Sequence, residues 1–411
     1  MKKAISSREA ISLEEKYGAH NYHPIPVVIE RGEGIYVWDP EGKKYMDFLS
    51  AYSAVNQGHC HPRIMKVFFD QAAKITLTSR AFYNDKLGEY ARFITEYFGY
   101  HKVLPMNTGA EGVETAVKLA RRWGYEKKGI PENKAVIICC EGNFHGRTIT
   151  VVSLSGDPES RTGFGPYTPG IIRIPYNDAA ALEKVLSINQ DVAGFLVEPV
   201  QGEAGVIIPD EGYLKTCREI CSRYNVLFIA DEIQSGLGRV GKRLACDYEN
   251  VRPDILILGK ALSGGMLPVA AVLADDEIML TIKPGQHGST YGGNPLACAV
   301  AMESIKVLEE EDLIQNSFRL GKIFGEELEK IKNSRKDLIK TVRSLGLWGA
   351  LVISHENKNA AWEICLALKE KGLLAKPTHG DTIRFAPPLL ITESELREAL
   401  SVISAVIKEF R

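Results

Sequence analysis

Val226-Leu227-Phe228-Ile229-Ala230-Asp231-Glu232 is an unbroken apolar run that ends on two carboxylates, and Ile255-Leu256-Ile257-Leu258-Gly259-Lys260 repeats the pattern with a lysine at its end. Such runs, with no polar alternation, predict strands buried on both faces, and strands of that kind belong to parallel sheets covered by helices on either side. Ala135-Val136-Ile137-Ile138, Gly194-Phe195-Leu196-Val197 and Val269-Ala270-Ala271-Val272-Leu273 have the same character. The expected fold class is therefore α/β with a mostly parallel central sheet. The chain between Asp231 and Lys260 is long enough for one helical crossover between neighbouring strands.

Ligands of open parallel sheets sit outside the carboxyl ends of the strands, which makes Glu198, Asp231 and Lys260 the residues to inspect. Further upstream, Val103-Leu104-Pro105-Met106 runs into Asn107-Thr108-Gly109-Ala110-Glu111. Thr108 and Glu111 have the spacing of a capping box, so a helix starts here. Unpaired N–H groups around Thr108, Gly109 and Ala110 would form a seat for a phosphate. A phosphate seat, a strand-end aspartate and a strand-end lysine together fit pyridoxal 5'-phosphate, with its ring nitrogen on Asp231 and its aldehyde on Lys260.

The remaining composition narrows the class. A chain of 411 residues has room for two to four domains. The reading is an N-terminal segment over 1–57, a large cofactor domain over 58–310 and a smaller C-terminal α/β domain over 311–411, the last carrying amphipathic stretches at Leu320 to Ile331 and Ala360 to Lys371. A net charge of -2 leaves no basic field for nucleic acid. No apolar run approaches a membrane span. The eight cysteines include no Cys-x-x-Cys pair, so no zinc or dithiol site is expected. Lys2 and Lys3 have no apolar stretch behind them, and Glu14 and Glu15 argue against a transit peptide. These features predict a cytoplasmic protein with reduced thiols.

Two motifs invite other readings. Gly236-Leu-Gly238-Arg-Val-Gly241 matches a dinucleotide fingerprint and much of a phosphate loop, but it begins several residues after its strand, and Arg243 stands where a phosphate loop needs Ser or Thr. A flexible Gly-rich surface loop is expected instead. His59-Cys60-His61 is expected to be a structural or substrate-facing loop rather than a metal site.

Beyond these motifs the chain resembles the fold-type I, class III aminotransferases from about Tyr17 to its C-terminus. The resemblance is carried by Tyr17-Gly-Ala-His-Asn-Tyr22-His-Pro, Ser50-Ala-Tyr52-Ser-Ala-Val-Asn-Gln-Gly-His-Cys-His61, Gly142-Asn-Phe-His-Gly-Arg147-Thr, Glu198-Pro-Val-Gln-Gly-Glu203-Ala-Gly, Ala230-Asp-Glu-Ile-Gln234, His287-Gly-Ser-Thr290-Tyr-Gly-Gly and Arg384-Phe-Ala-Pro-Pro388. It implies that Lys260 holds pyridoxal phosphate covalently and moves the proton. Asp231 would keep the ring nitrogen protonated, Phe144 would stack on the ring and Gln234 would bond its phenolic oxygen. Ser289 and Thr290 would reach the phosphate from a partner subunit, so the resemblance also implies a homodimer with shared active sites, or a higher assembly of it.

Within the class, the resemblance is strongest to members that move the δ-amino group of ornithine to 2-oxoglutarate, between arginine and proline metabolism. It places Arg147 on the α-carboxylate of ornithine and Tyr22 on its α-amine, with Tyr52 shaping the pocket. Arg384 would take the carboxylate next to the reacting carbon of 2-oxoglutarate, and Glu203 would mask Arg384 while ornithine reacts. His145 stands where some relatives carry Trp, beside Phe144. The alternatives are acetylornithine or 4-aminobutyrate transfer, a nicotinamide-dependent dehydrogenase resting on Gly236, and a scaffold with a degraded site.

Overall fold

The computed structural model describes residues 5–411. Residues 1–4, the start of the segment read for a targeting signal, lie outside the described residues. Near the N-terminus β1 (Arg31–Glu33), β2 (Tyr36–Trp38) and β3 (Lys44–Asp47) form an antiparallel meander. The central sheet contains β4 (Lys102–Met106), β5 (Val136–Cys140), β6 (Ile171–Ile174), β7 (Val192–Val197), β8 (Leu227–Asp231), β9 (Ile255–Leu258) and β10 (Ala270–Ala274), in the order β4-β10-β9-β8-β7-β5-β6. The C-terminal region adds β11 (Ile339–Leu345), β12 (Trp348–Ile353), β13 (Leu373–Leu374), β14 (Lys376–Thr378) and β15 (Thr382–Phe385). Of these, β11-β12-β15-β14 make a third sheet, while β13 joins the first by pairing in parallel with β3. The N-terminal meander and the C-terminal region thus share one sheet.

Adjacent strand residues point to opposite faces, and the core divides accordingly. Ile137, Ile229, Ile257 and Val272 pack against the helix Gly109–Trp123 through Val113, Ala116 and Ala120. Their neighbours Ile138, Phe228, Leu256 and Leu273 belong to a separate cluster with Leu214 and Val300, from the helices Tyr213–Arg223 and Pro295–Glu310. Each fully buried Ile, Leu or Phe side chain contributes about 1.5–3 kcal/mol, so both faces of the sheet are committed to helices.

The central sheet is mostly parallel, as expected, over β9-β8-β7-β5-β6. Three finer expectations are corrected here. The Val269–Leu273 run, expected among the parallel strands, falls in β10, which runs antiparallel to both β9 and β4. A strand buried on both faces has the same composition whichever way it runs. Second, β8 and β9 are parallel neighbours, but the chain between them holds only the 3₁₀ turn Ala245–Glu249 and no α-helix.

Third, the Gly236–Gly241 loop is buried, not a flexible surface loop. Gly241 has φ of +83°, and a Cβ there would lie 2.7 Å from the Phe318 Cα, so the loop passes directly against the helix Leu313–Ser334. Between its glycines the fully buried Arg239 donates to the Leu347 and Pro387 carbonyls at 2.8 and 2.7 Å and to the Asn56 Oδ1. The loop therefore ties three distant parts of the chain together.

Candidate active site

The carboxyl ends of β5, β7, β8 and β9 open on one edge of the sheet, and the sequence places a chemically distinct group at each. Asp231 is the last residue of β8. Lys260 follows Gly259 at the end of β9, with φ of +44°, a left-handed conformation that turns the chain sharply. Its Nζ makes no hydrogen bond or ion pair among the described residues, although Glu203, Asp231 and Glu198 surround it electrostatically. Burial outweighs those charges and lowers the Lys260 pKa, which favours the neutral, nucleophilic amine.

Asp231 is 4% exposed and held on both oxygens: Oδ1 accepts from the Ile233 N–H at 3.1 Å, and Oδ2 meets the His145 Nδ1 at 2.6 Å. Burial would lower the His145 pKa, but the bond to Asp231 and the charges of Asp231 and Glu198 reverse the effect and raise it. Glu198 follows β7 and accepts from the Phe144 and Gly202 N–H groups at 2.8 and 3.3 Å. Its burial raises its pKa to about 7. Sequence reading flagged Asp231 and Glu198 but missed the function of His145, because a loop residue after β5 shows no pattern linking it to β8.

The helix Gly109–Trp123 begins at the same edge. Thr108 Oγ1 accepts from the Glu111 N–H at 3.3 Å, while the Glu111 carboxylate accepts from the Thr108 N–H at 3.0 Å, completing the expected capping box. Among the described residues the Gly109 and Ala110 N–H groups donate to nothing, and the positive end of a 15-residue helix dipole lies behind them. Ser289 Oγ accepts from the Asn107 side chain at 2.7 Å, so its loop lies at this helix start in the same chain, and Thr290 is exposed. Free amides, an anchored carboxylate and an unpartnered, half-buried amine fit the phosphate, the ring nitrogen and the aldehyde of pyridoxal phosphate. No group of three or more potential metal ligands occurs among the described residues.

The substrate side is less uniform. Arg384 is 3% exposed and makes a two-pronged bond to Glu203 at 2.7 and 3.0 Å, with a further bond to the Gly202 carbonyl at 3.2 Å. Burial opposes ionisation of Glu203, but Arg384 prevails and lowers its pKa. Gln234 Nε2 donates to the Tyr52 carbonyl at 3.4 Å, and the Tyr52 ring lies 5.6 Å from the Arg384 guanidinium. Arg147 is exposed above the Phe144 ring at 5.4 Å, and Tyr22 is 73% exposed. The geometry thus joins Tyr52, Gln234, Glu203 and Arg384 directly, and leaves Arg147 and Tyr22 exposed outside that group. Lys376, absent from the sequence reading, donates to the Tyr52 hydroxyl at 3.2 Å.

Tyr52 stands in an unusual turn. Ser50, Ala51, Tyr52 and Ser53 all have positive φ, at 49, 47, 59 and 71°. Left-handed geometry costs an L-residue about 1–2 kcal/mol each, so this segment needs support. Asp47 supplies it by accepting from the Leu49 and Ser50 N–H groups at 2.8 and 2.9 Å, and the His59 Nε2 lies 2.7 Å from its other oxygen. The His59-Cys60-His61 loop is thus structural, with His61 on Glu311 at 3.0 Å. Asp47→Ala is expected to lower stability by about 1–3 kcal/mol in urea unfolding. Ala51→Gly in that background should restore part of the loss, since glycine adopts positive φ freely.

A family model described as aminotransferase class-III matches residues 17–407. A rat protein named mitochondrial ornithine aminotransferase is 60% identical over 98% of this chain and 91% of its own length. The solved structure of an ornithine aminotransferase from Toxoplasma gondii, with partial occupancy of PLP at its active site, superposes with a TM-score of 0.97 at 46% identity, covering 99% of this chain and 96% of that one. A structure described as acetylornithine aminotransferase from Elizabethkingia anophelis superposes at 0.91 with 58% identity, covering 99% and 100%. The cytoplasmic expectation is corrected by these relatives: the rat protein, like others from animals and plants at 55–60% identity, is named mitochondrial. No helix among the described residues is long and apolar enough to cross a membrane. With the family model spanning nearly its whole length, the chain belongs to the class-III aminotransferases.

Proposed function

We propose that the chain transfers the δ-amino group of L-ornithine to 2-oxoglutarate, giving L-glutamate 5-semialdehyde, which cyclises to pyrroline-5-carboxylate, and L-glutamate. The observation that carries this reading is the Glu203–Arg384 pair beside Lys260. An enzyme whose amino donor reacts at its α-carbon needs a free arginine for the adjacent carboxylate. A donor reacting at its far amine needs that arginine neutralised, and Glu203 neutralises it.

The bound pyridoxal group supplies an electron sink for the carbon that loses its proton. The chain's own residues do the rest. Asp231, oriented by His145, would hold a negative charge against the ring nitrogen. Lys260, its pKa lowered by burial, takes and returns the proton. Gln234, bonded to the Tyr52 carbonyl, would meet the phenolic edge of the cofactor. Arg384 accepts the 2-oxo acid once Glu203 moves aside, and a planar guanidinium fork matches a carboxylate better than an ammonium does. Ser289 is bonded at the helix start of its own chain, so of the pair expected to cross a homodimer only the exposed Thr290 is free to reach a partner's phosphate.

A second reading, N-acetylornithine as donor, is favoured by the likeness to the Elizabethkingia structure. Half-reactions followed by the cofactor's visible absorbance separate the two. Ornithine is expected to bleach the enzyme at least about tenfold faster than N-acetylornithine or 4-aminobutyrate, a difference of about 1.4 kcal/mol. Equal bleaching by all three would overturn the ornithine reading.

A further inference from the structure

We propose that Lys376 is a second carboxylate-binding cation of this pocket, holding the carboxylate at the non-reacting end of the amino donor; the inference rests on the ornithine reading above. Strand pairing places Lys376 directly opposite Arg384, so the two cations project from the same face of the β14–β15 ladder. Like charges in that position repel unless anions lie between or beside them. The described residues provide one: Glu203, whose two oxygens are both committed to Arg384. Lys376 itself has no ion-pair partner among the described residues. Its only hydrogen bond within them goes to the Tyr52 hydroxyl, leaving two of its three donors free.

The surroundings say what the free donors face. The Lys376 ammonium lies 5.7 Å from the centre of the Tyr22 ring and 5.9 Å from that of Tyr52, and Lys376 is half-buried. It therefore stands near both tyrosines, and Arg384 approaches the same Tyr52 ring at 5.6 Å. A ligand whose amine reacts at Lys260 and whose far end reaches Tyr22 and Tyr52 meets Lys376 there. An ammonium with two free donors beside a tyrosine hydroxyl suits a carboxylate; a diamine with no carboxylate would meet repulsion instead. Lys376 thus selects amino donors that carry a carboxylate at the end remote from the transferred amine.

The test compares ornithine with putrescine, the same diamine without its carboxylate, using the holoenzyme. Lys376→Gln is expected to lower kcat/KM for ornithine by about tenfold or more, mainly through KM, and to leave the putrescine value equal or higher, because the repulsion of the second ammonium is removed. Lys376→Arg, which keeps the cation, should remain within about threefold of wild type for ornithine. Equal losses for both substrates would mark Lys376 as merely structural and overturn the proposal, as would an unchanged ornithine value. A wild-type enzyme that does not use ornithine at all overturns the proposed reaction itself, and that result is visible before any variant is made.

Discussion

Replacing Lys260 by alanine is expected to abolish turnover with ornithine and to remove the visible absorbance of the bound cofactor. Two losses combine. The covalent anchor disappears, and so does the only amine at the carboxyl ends of β8 and β9 that is placed to carry the proton. A positioned acid–base group accounts for about 10²–10⁴-fold in rate, and loss of the covalent linkage adds to that. Lys260→Arg should fare no better, because a guanidinium keeps the charge but neither forms the linkage nor gives up its proton. Single-turnover spectra with ornithine check the expectation. A Lys260→Ala enzyme that keeps its visible band and reacts within about tenfold of wild type would remove Lys260 from the role assigned here.

The second large effect is expected at Glu203. Glu203→Ala removes the carboxylate bonded to Arg384, which is 3% exposed in the intact protein, and leaves it the Gly202 carbonyl and the Tyr52 ring. An uncompensated buried charge costs on the order of 3–5 kcal/mol, toward the low end here because Glu203 keeps 22% side-chain exposure. That cost falls on the resting enzyme and on the ornithine complex. It is relieved when glutamate or 2-oxoglutarate brings its own carboxylate to Arg384. The ratio of glutamate to ornithine half-reaction rates should therefore rise by about tenfold or more, equivalent to about 1.4 kcal/mol of the imbalance. Thermal unfolding should begin earlier in the variant and recover more than wild type when 2-oxoglutarate is added, since a ligand that binds the folded state stabilises it. An unchanged ratio would mean that Glu203 and Arg384 are a fixed structural pair and not a switch.

These two residues became legible in different ways. Lys260 stood out from elementary pattern: an apolar run, a glycine and then a cation at a strand's carboxyl end. Glu203 and Arg384 are far apart in sequence, and only the resemblance to the class III enzymes suggested that they meet; the fold places them 2.7 Å apart. The resemblance set His145 beside Phe144 but gave it no partner, and nothing pointed to Lys376. His145 finds Asp231 across two strands, and Lys376 finds Arg384 across a ladder whose register is set by strand pairing.

The sequence by itself determined the local facts: continuous apolar strands, the Thr108 capping box, and the strand-end placement of Glu198, Asp231 and Lys260. Hydrophobic patterning and helix capping depend on residues within a turn or two of each other, so they are written locally. The tertiary structure alone decided the antiparallel run of β10, the burial of the Gly236–Gly241 loop around Arg239, the left-handed turn under Tyr52, and the partners of His145 and Lys376. Each of these depends on groups brought together from distant parts of the chain. A buried strand, a glycine loop or a lone lysine has the same local composition whatever it meets, and its meaning is fixed only by the charges and backbone packed against it.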